Sequence, residues 1–488
     1  MMISRVEQHL INKNHKLFNL IDSYSFKTKN LYNLANYYTR QIFIMTSKIK
    51  DKKELTEEQL LFLQDINIEV DNYNLYKQNN LEKAREKAKT NKTNKSNKTK
   101  KVRDLSKDFI PLKHFGEDHK WVRYDFINFL LCEAEAYNEL MSQVAQQTLR
   151  QLDKNWKSFF VSIKEWKVNP SKFTGRPKLP KYKHKTRGRS NIYFTNQNCS
   201  LKEDSLKEEN YIQFPKEFNK YLLKTKISGD IKQVRIKPLG SRYLIEIVYD
   251  KEIKEQSKAN PKKIISIDLG VNNFATITNN IGLQPIVING GVIKSINQCY
   301  NKGIAKYKSI LKTNNGKDWS KRLSRITNNR NNKIKDLMHK SSRFVIDYSL
   351  ENGIDTIIIG KNKYQKQGIN TSKKNNQNIV GIPYNIFIQQ LQYKALEVGI
   401  TVILSEESYT SKASFLDNDF IPTYNKNNTI KHKFSGRRIR RGMYKSKNGI
   451  LINADVNGSY NIMRKVVPNA FAVGIVGVGL HPIKYDLS

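Results

Sequence analysis

The sequence predicts a multidomain α/β protein, in which a helical lobe and a small antiparallel β-barrel accompany an α/β sheet domain. Three observations carry this prediction. A chain of 488 residues has room for two to four domains, each with its own core. Apolar residues recur at helical spacing in the region 26–185, then alternate with polar ones through 186–260. Beyond 261, short apolar strands trade places with helical stretches, as in a layered α/β domain.

Taken in order, Val6-Glu7-Gln8-His9-Leu10-Ile11 reads as a short strand. Leu31, Leu34, Ala35, Tyr38 and Ile42 then fall on one helix face. Residues 84–103 are basic and low in complexity, so a disordered loop is expected there. A second helical region spans 121–160, with Ala145, Leu149, Leu152, Trp156 and Phe160 on one stripe. It stops before Gly175-Arg176-Pro177-Lys178-Leu179-Pro180-Lys181-Tyr182-Lys183, where the prolines and glycine forbid a helix. What remains is a stiff, basic, aromatic-bearing strap. Ile192-Tyr193-Phe194, Tyr211-Ile212-Gln213-Phe214, Gln233-Val234-Arg235-Ile236 and Tyr243-Leu244-Ile245-Glu246-Ile247-Val248-Tyr249 supply the barrel strands. The polar stretch 251–262 marks a boundary.

The next domain opens on Lys263-Ile264-Ile265-Ser266-Ile267-Asp268, followed by a turn and strands at 274–278 and 285–293. A long helix follows, with Leu323, Ile326, Ile334, Leu337, Ser341, Val345 and Tyr348 inward. Asp355-Thr356-Ile357-Ile358-Ile359-Gly360 is the next strand, 384–398 a helix and Ile400-Thr401-Val402-Ile403-Leu404-Ser405 another strand. This order is that of an RNase H-like sheet, whose first strand is central.

Composition speaks about partners. Lys and Arg number 86 against 44 Asp and Glu, a net charge of +42. Such an excess favours nucleic acid through release of condensed counterions. No apolar run approaches the ~18 residues of a membrane span, so a soluble, intracellular chain is expected. Cys132, Cys199 and Cys299 lie far apart and match no metal or disulfide spacing.

Two carboxylates then stand out. Asp is disfavoured inside strands, yet Asp268 closes an apolar one. Asp455 opens the helix-like stretch Asn453-Ala454-Asp455-Val456-Asn457-Gly458-Ser459-Tyr460-Asn461-Ile462. Each could be structural, Asp268 capping the following turn and Asp455 capping its helix. Together they suit the outer members of a Mg²⁺ site, where two ions about 3.5–4 Å apart clamp a phosphodiester. Two acids are too few for two hard cations, and the place expected for a third, at the end of the 357–359 strand, holds Gly360. Glu406 and Glu407 end the adjacent strand instead. Alternate residues face opposite ways, so only one of this pair can join Asp268. Glu407 is preferred, with Glu406 as its substitute.

The chain resembles the TnpB family, RNA-guided nucleases of bacterial transposons related to type V CRISPR effectors. Asn30-Leu31-Tyr32-Asn33, Gly175–Tyr182, Ile267-Asp268-Leu269-Gly270-Val271-Asn272, Tyr409-Thr410-Ser411-Lys412 and Asn453–Ile462 carry the resemblance, in family order. It implies a RuvC-type RNase H domain at 261–407 with 451–470, and a helical recognition lobe at 26–185. It also implies a wedge-like barrel from 1–25 with 186–260, a basic insert at 408–450 and a tail at 471–488. The implied activity is Mg²⁺-dependent cutting of double-stranded DNA beside a short motif, directed by a guide RNA from the transposon end. Asp268, Glu407 and Asp455 would be catalytic and metal-binding residues, in the cytoplasm and at the nucleoid of a prokaryote.

Two departures matter. Gly360 replaces the usual middle glutamate, so the protein is either nuclease-dead, an RNA-guided DNA-binding repressor, or relies on Glu407 or Glu406. One branch of the family carries Gly-Lys-Asn here and Glu-Glu-Ser-Tyr-Thr-Ser-Lys later, which Gly360-Lys361-Asn362 and Glu406–Lys412 resemble. The family's zinc ribbon is also missing its thiols: Ser414 stands where a first cysteine is expected, and residues 409–454 contain none. No zinc is therefore expected. The insert holds Arg437, Arg438, Arg440 and Arg441 among aromatics, which suits phosphate contact and base stacking. Arg176, Lys178, Lys181 and Tyr182 of the strap are further candidates for nucleic-acid binding. An actin-like kinase would need a second phosphate loop, and a DDE transposase a different acid spacing; neither fits.

Overall fold

In the computed structural model, the described residues are 2–90, 109–119, 121–204, 209–227, 229–253, 261–362, 372–424, 432–471 and 479–487. The chain divides into two compact units, Ser4–Lys251 and Met1–Ile3 with Glu252–Ser488.

Strand β1 (Met2–Ile11), which from Ser4 onward belongs to the first unit, is longer than the short strand expected there. Helices α1 (Phe18–Lys50), α2 (Glu57–Thr90), α3 (Tyr124–Leu131), α4 (Glu135–Asn138) and α5 (Ser142–Val168) follow. The segment expected to be a loop from 84 is helical as far as Thr90, because Ala, Glu, Lys and Arg favour helix even without burial. Residues 91–103 of that expectation lie outside the described residues. The apolar stripe of α1 and α5 meets where Trp156, Ile42, Leu149 and Leu152 are buried together. Strands β2 (Ile192–Thr195), β3 (Ser200–Asp204), β4 (Glu209–Gln213), β5 (Leu223–Thr225), β6 (Ile231–Leu239) and β7 (Arg242–Glu252) complete the unit. They form two sheets, β1-β7-β6-β2 and β3-β4-β5.

The second unit is built on a six-stranded sheet in the order β12-β11-β8-β9-β10-β16. Its strands are β8 (Ile264–Leu269), β9 (Asn273–Asn279), β10 (Ile286–Asn289), β11 (Thr356–Gly360), β12 (Thr401–Ser405) and, past the insert strands, β16 (Ile483–Tyr485). β8 is interior, antiparallel to β9 and parallel to β11. Residues expected to be a tail supply β16, which pairs in parallel with β10.

Two helices precede β11 where one was expected: α6 (Gly291–Asn315) and α7 (Lys321–Glu351). Ser320 caps α7 by accepting from the Leu323 amide at 3.2 Å. After α8 (Lys373–Gly381), α9 (Tyr384–Glu397) and α7 cover one sheet face, burying Ile265, Ile267, Ile357 and Ile359. The insert contributes β13 (Arg437–Arg440), β14 (Met443–Lys445) and β15 (Leu451–Asn453) as a small sheet. Helix α10 (Ala454–Val466) covers the other face, where Ile462 and Met463 meet Ile264 and Ile358. Burial on both faces explains why β8 and β11 read as continuous apolar runs.

Candidate acidic site and basic surfaces

The approach of α10 to the sheet fixes the site. Ser459 lies against Ser266 and Thr278, its hydroxyl 3.1 and 2.9 Å from theirs. The residue just before it is Gly458, and a Cβ there would stand 2.9 Å from Asp268 Oδ2. The small residues thus let α10 lie directly over β8, with Asp455, Gly458, Ser459 and Ile462 at the i, i+3, i+4, i+7 spacing of one face. Asp268 sits in β8 opposite Thr276.

Asp455 is not the helix cap. Asn453 fills that place, accepting from the amides of Asp455 and Val456 at 2.9 and 3.2 Å. Asp455 occupies the first turn, where the helix dipole favours a negative charge. Asn273, at the start of β9, donates to its Oδ2 at 2.6 Å. Arg438 of β13 lies 3.6 Å from its Oδ1.

Glu407 reaches the site from the chain just past β12. A Cβ on Gly360 would lie 2.8 Å from Glu407 Oε2 and 2.5 Å from Ile462 Cδ1. Asn362 clamps the residue, accepting from the Glu407 amide at 3.2 Å while its own backbone N–H donates to the carboxylate. The chain then turns sharply: Tyr409 adopts a left-handed φ of 65°, and the Thr410 hydroxyl donates to the Glu407 carbonyl at 2.9 Å. Buried Asn457 and Asn461, one and two turns beyond Asn453, donate to Ala413 O at 2.8 and 2.7 Å, anchoring this segment on α10. Glu406 turns elsewhere, to Lys465 Nζ at 2.5 Å and the Ser408 amide at 2.8 Å.

The electrostatics join three of the four expected acids. Burial pushes the Asp268 carboxyl up to about 8, aided by the charges of Glu407 and Asp455 and opposed by Arg438. Burial and the neighbouring Glu406 charge raise Glu407 to about 7. The same Asp268 and Glu407 charges add to the effect of burial in raising the Tyr384 hydroxyl, which donates to Gly270 O at 3.0 Å. Half-buried carboxylates that repel one another are a donor set suited to a hard divalent cation, which would relieve the desolvation and repulsion together. As placed, no group of three or more His, Cys, Asp or Glu among the described residues is spaced to hold a metal ion.

Beside the acids opens a cleft of about 620 Å³ lined by Gly270, Asn272, Asn273, Arg438, Arg441 and Asp455. All four arginines of the insert are exposed, and Arg438 and Arg441 face this cleft, whereas Arg437 and Arg440 are not among its lining residues. Carboxylates tie the insert's loops together. Asp417 accepts from the Ser414 hydroxyl at 2.5 Å and the Lys447 amide at 2.8 Å. Asp419 accepts from the Ser414 amide at 2.8 Å and the Ser435 amide at 3.0 Å.

The strap of the first unit is held on α1 by side chains one turn apart. Lys29 donates to Lys185 O at 2.7 Å, Asn33 to Lys183 O at 2.8 Å, and Asn36 and Arg40 to Pro180 O at 3.1 and 2.8 Å. This pinning leaves Arg176, Lys178 and Lys181 lining a groove of about 800 Å³ with Arg40, Lys50 and Lys167. Tyr182 is half exposed beneath the Arg40 guanidinium. Composition did not single out Asn273, Asn362, Gly458 or Lys465; Asn272-Asn273 directly after the acidic strand and the Asn453, Asn457, Asn461 spacing were the available signals.

Residues 246–365 match the family described as a probable transposase, OrfB of the IS605 type. Residues 384–462 match the TNB domain of Cas12f1-like proteins. The two regions follow one another through the acidic-site unit, so this part of the chain is similar first to a probable transposase and then to Cas12f1-like proteins. The protein is TnpB-like. No curated protein matches it. Among solved structures, a Cas12f1–sgRNA–target DNA complex is similar at 14% identity and TM-score 0.30, over 94% of this chain and 98% of that one. C2c1 of Alicyclobacillus acidoterrestris with single-guide RNA is similar at 9% identity and TM-score 0.36, over 88% and 69%. CasPhi-2 bound to crRNA and phosphorothioate-DNA is similar at 8% and 0.32, over 73% and 86%. No helix among the described residues is long and apolar enough to cross a membrane.

Proposed function

We propose that the protein is an RNA-guided DNA endonuclease of the RuvC type, in which Asp268, Glu407 and Asp455 hold Mg²⁺ and no zinc is needed. The observation that carries this is the place of Glu407: its carboxylate fills the space left by the missing side chain of Gly360 and bears electrostatically on Asp268. Mg²⁺ bound there would stabilise the charge that develops on the phosphodiester and lower the pKa of the attacking water. Asp268 is fixed by β8 and covered by α10, which limits water around the carboxyl. Glu407 is oriented by Asn362, and Asp455 by Asn273. Arg438 and Arg441 supply positive charge in the adjoining cleft for the strand's phosphates. Partners are a guide RNA from the transposon end and double-stranded DNA with a short adjacent motif, met in the prokaryotic cytoplasm.

A second reading, a nuclease-dead RNA-guided repressor, is favoured by one observation: the acids as placed do not form a three-ligand group. Protein isolated with its co-purified RNA separates the two when incubated with Mg²⁺ and a matching plasmid. The endonuclease linearises the plasmid, and Asp268→Ala keeps RNA and target binding while cutting stops. The repressor binds tightly and leaves the plasmid intact.

A further inference from the structure

We propose that Arg438 is the resident counter-ion of Asp455 and passes to a phosphate of the bound strand, so that strand binding and divalent-metal binding assist each other. The inference rests on the acidic-site reading above and concerns how that site is kept before substrate arrives.

The two oxygens of Asp455 face different partners. Oδ2 accepts from Asn273 at 2.6 Å, a short bond from a part-buried amide that fixes the carboxylate's orientation. Oδ1 lies 3.6 Å from a guanidinium nitrogen of Arg438, a distance of charge attraction rather than of a tight hydrogen bond. Arg438 is 48% exposed and Asp455 34%, so water reaches the pair. Ion pairs of this kind are weak, and a competing charge can replace one partner.

Arg438 is also placed to leave. It sits on β13, whose pairing with β14 shifts register between Arg438 and Arg440, so the strand is irregular at this point. Its side chain lines the open cleft together with Arg441. The positive charge is felt at Asp268 too, where it opposes the repulsion from Glu407 and Asp455. One monovalent cation thus partly neutralises a set of acids whose charges a divalent ion would neutralise better. While it stays, it competes with the metal. A phosphate entering the cleft offers the guanidinium a bidentate partner that Asp455 Oδ1 does not provide as placed. Arg438 then turns from blocking the acids to holding the strand, and Asp455 Oδ1 is released. Such coupling is reciprocal: metal binding should strengthen strand binding by the same factor.

The test is Mn²⁺ affinity of the full-length protein, followed by electron paramagnetic resonance with and without a single-stranded oligonucleotide carrying non-hydrolysable phosphorothioate linkages. Without the oligonucleotide, Arg438→Gln should bind Mn²⁺ about two- to fivefold more tightly than wild type, the range set by a weak competing ion pair. Arg438→Lys should stay near wild type, and Lys312→Gln, which removes an exposed cation of α6 away from the cleft, should change nothing. The oligonucleotide should tighten Mn²⁺ binding in wild type by a similar factor and have much less effect in Arg438→Gln. Equal Mn²⁺ affinity in Arg438→Gln and wild type overturns the proposal, as does an equal gain in Lys312→Gln. If wild-type Mn²⁺ binding survives Asp268→Ala and Asp455→Ala, or is absent, the acidic-site reading fails as well; binding lost in those variants but unaltered in Arg438→Gln refutes the counter-ion role alone.

Discussion

Glu407 Oε2 lies 2.8 Å from the point where a side chain on Gly360 would begin. The two residues share one volume at the end of β11, and only one of them can have a side chain in it. Gly360 pairs with Ser405, two residues before Glu407, so the chain needs a single short turn to bring the carboxylate across. Gly360→Ala should therefore push Glu407 or Ile462 aside, at an overpacking cost of about 1–3 kcal/mol. Thermal unfolding should register the loss, and DNA cutting should fall further than stability does.

Gly458→Ala probes the same contact from the helix side. Alanine in an exposed helix interior would stabilise by up to about 1 kcal/mol relative to glycine. Here its methyl would stand 2.9 Å from Asp268 Oδ2, so the propensity gain is offset and the carboxylate is displaced. The melting temperature should move little in either direction, whereas Mn²⁺ affinity should drop several-fold. A variant that binds Mn²⁺ as wild type does would place Asp268 outside the metal site.

The raised carboxyls set a pH dependence. Asp268 is held near 8 and Glu407 near 7 in the folded chain, above their unfolded values of about 4. The folded state then binds more protons than the unfolded state between those limits. Stability of the metal-free protein from this source is full below about pH 4 and is lost as pH rises toward 8. Asp268→Asn should flatten that decline in urea melts at fixed ionic strength, and Mg²⁺ should reverse it above pH 7. A decline unchanged in Asp268→Asn would mean that other groups cause it.

The strap predicts a salt effect without a catalytic one. Lys178→Ala with Lys181→Ala removes two cations from the groove over α1. If both meet phosphates, the slope of log affinity for nucleic acid against log salt should fall by about 1.4–1.8. Filter binding across a salt series measures it. Mn²⁺ affinity of the acidic site should not change.

In the insert, Asp417→Ala cuts the link between the loops at Ser414 and Lys447. Losing a partly buried carboxylate with two donors should cost roughly 1–3 kcal/mol. Limited proteolysis within 408–450 should quicken, and added Zn²⁺ should not restore resistance.

The fold was legible where the sequence is strongly patterned. β8 and β11 are read correctly to within a residue because burial on two faces leaves unbroken apolar runs. The helix α6 was passed over although Ile293, Ile296, Tyr300, Ile304, Tyr307 and Leu311 keep helical spacing; the many Asn and Lys between them hid the stripe. β16 escaped because three residues at a strand edge have no pattern to read, and the pairing partner supplies their order. Within the site, the oddity of Asp268 in an apolar strand and the absence of an acid at Gly360 pointed to residues that the fold brings close together. What no spacing could reveal was the face chosen by Glu407 over Glu406. That choice depends on Asn362 from one strand end and Lys465 from α10, contacts that exist only once the sheet and helix have met.

The most direct measurement compares plasmid cutting by Glu407→Gln and Glu406→Gln, each with its co-purified RNA and Mg²⁺. Glu407→Gln should lose cutting by at least about a hundredfold, the scale of removing one charge-stabilising group, while still binding RNA and target. Glu406→Gln should cut within a few-fold of wild type. Undiminished cutting by Glu407→Gln, or its loss in Glu406→Gln alone, would contradict the assignment of Glu407 to the site that Gly360 leaves open.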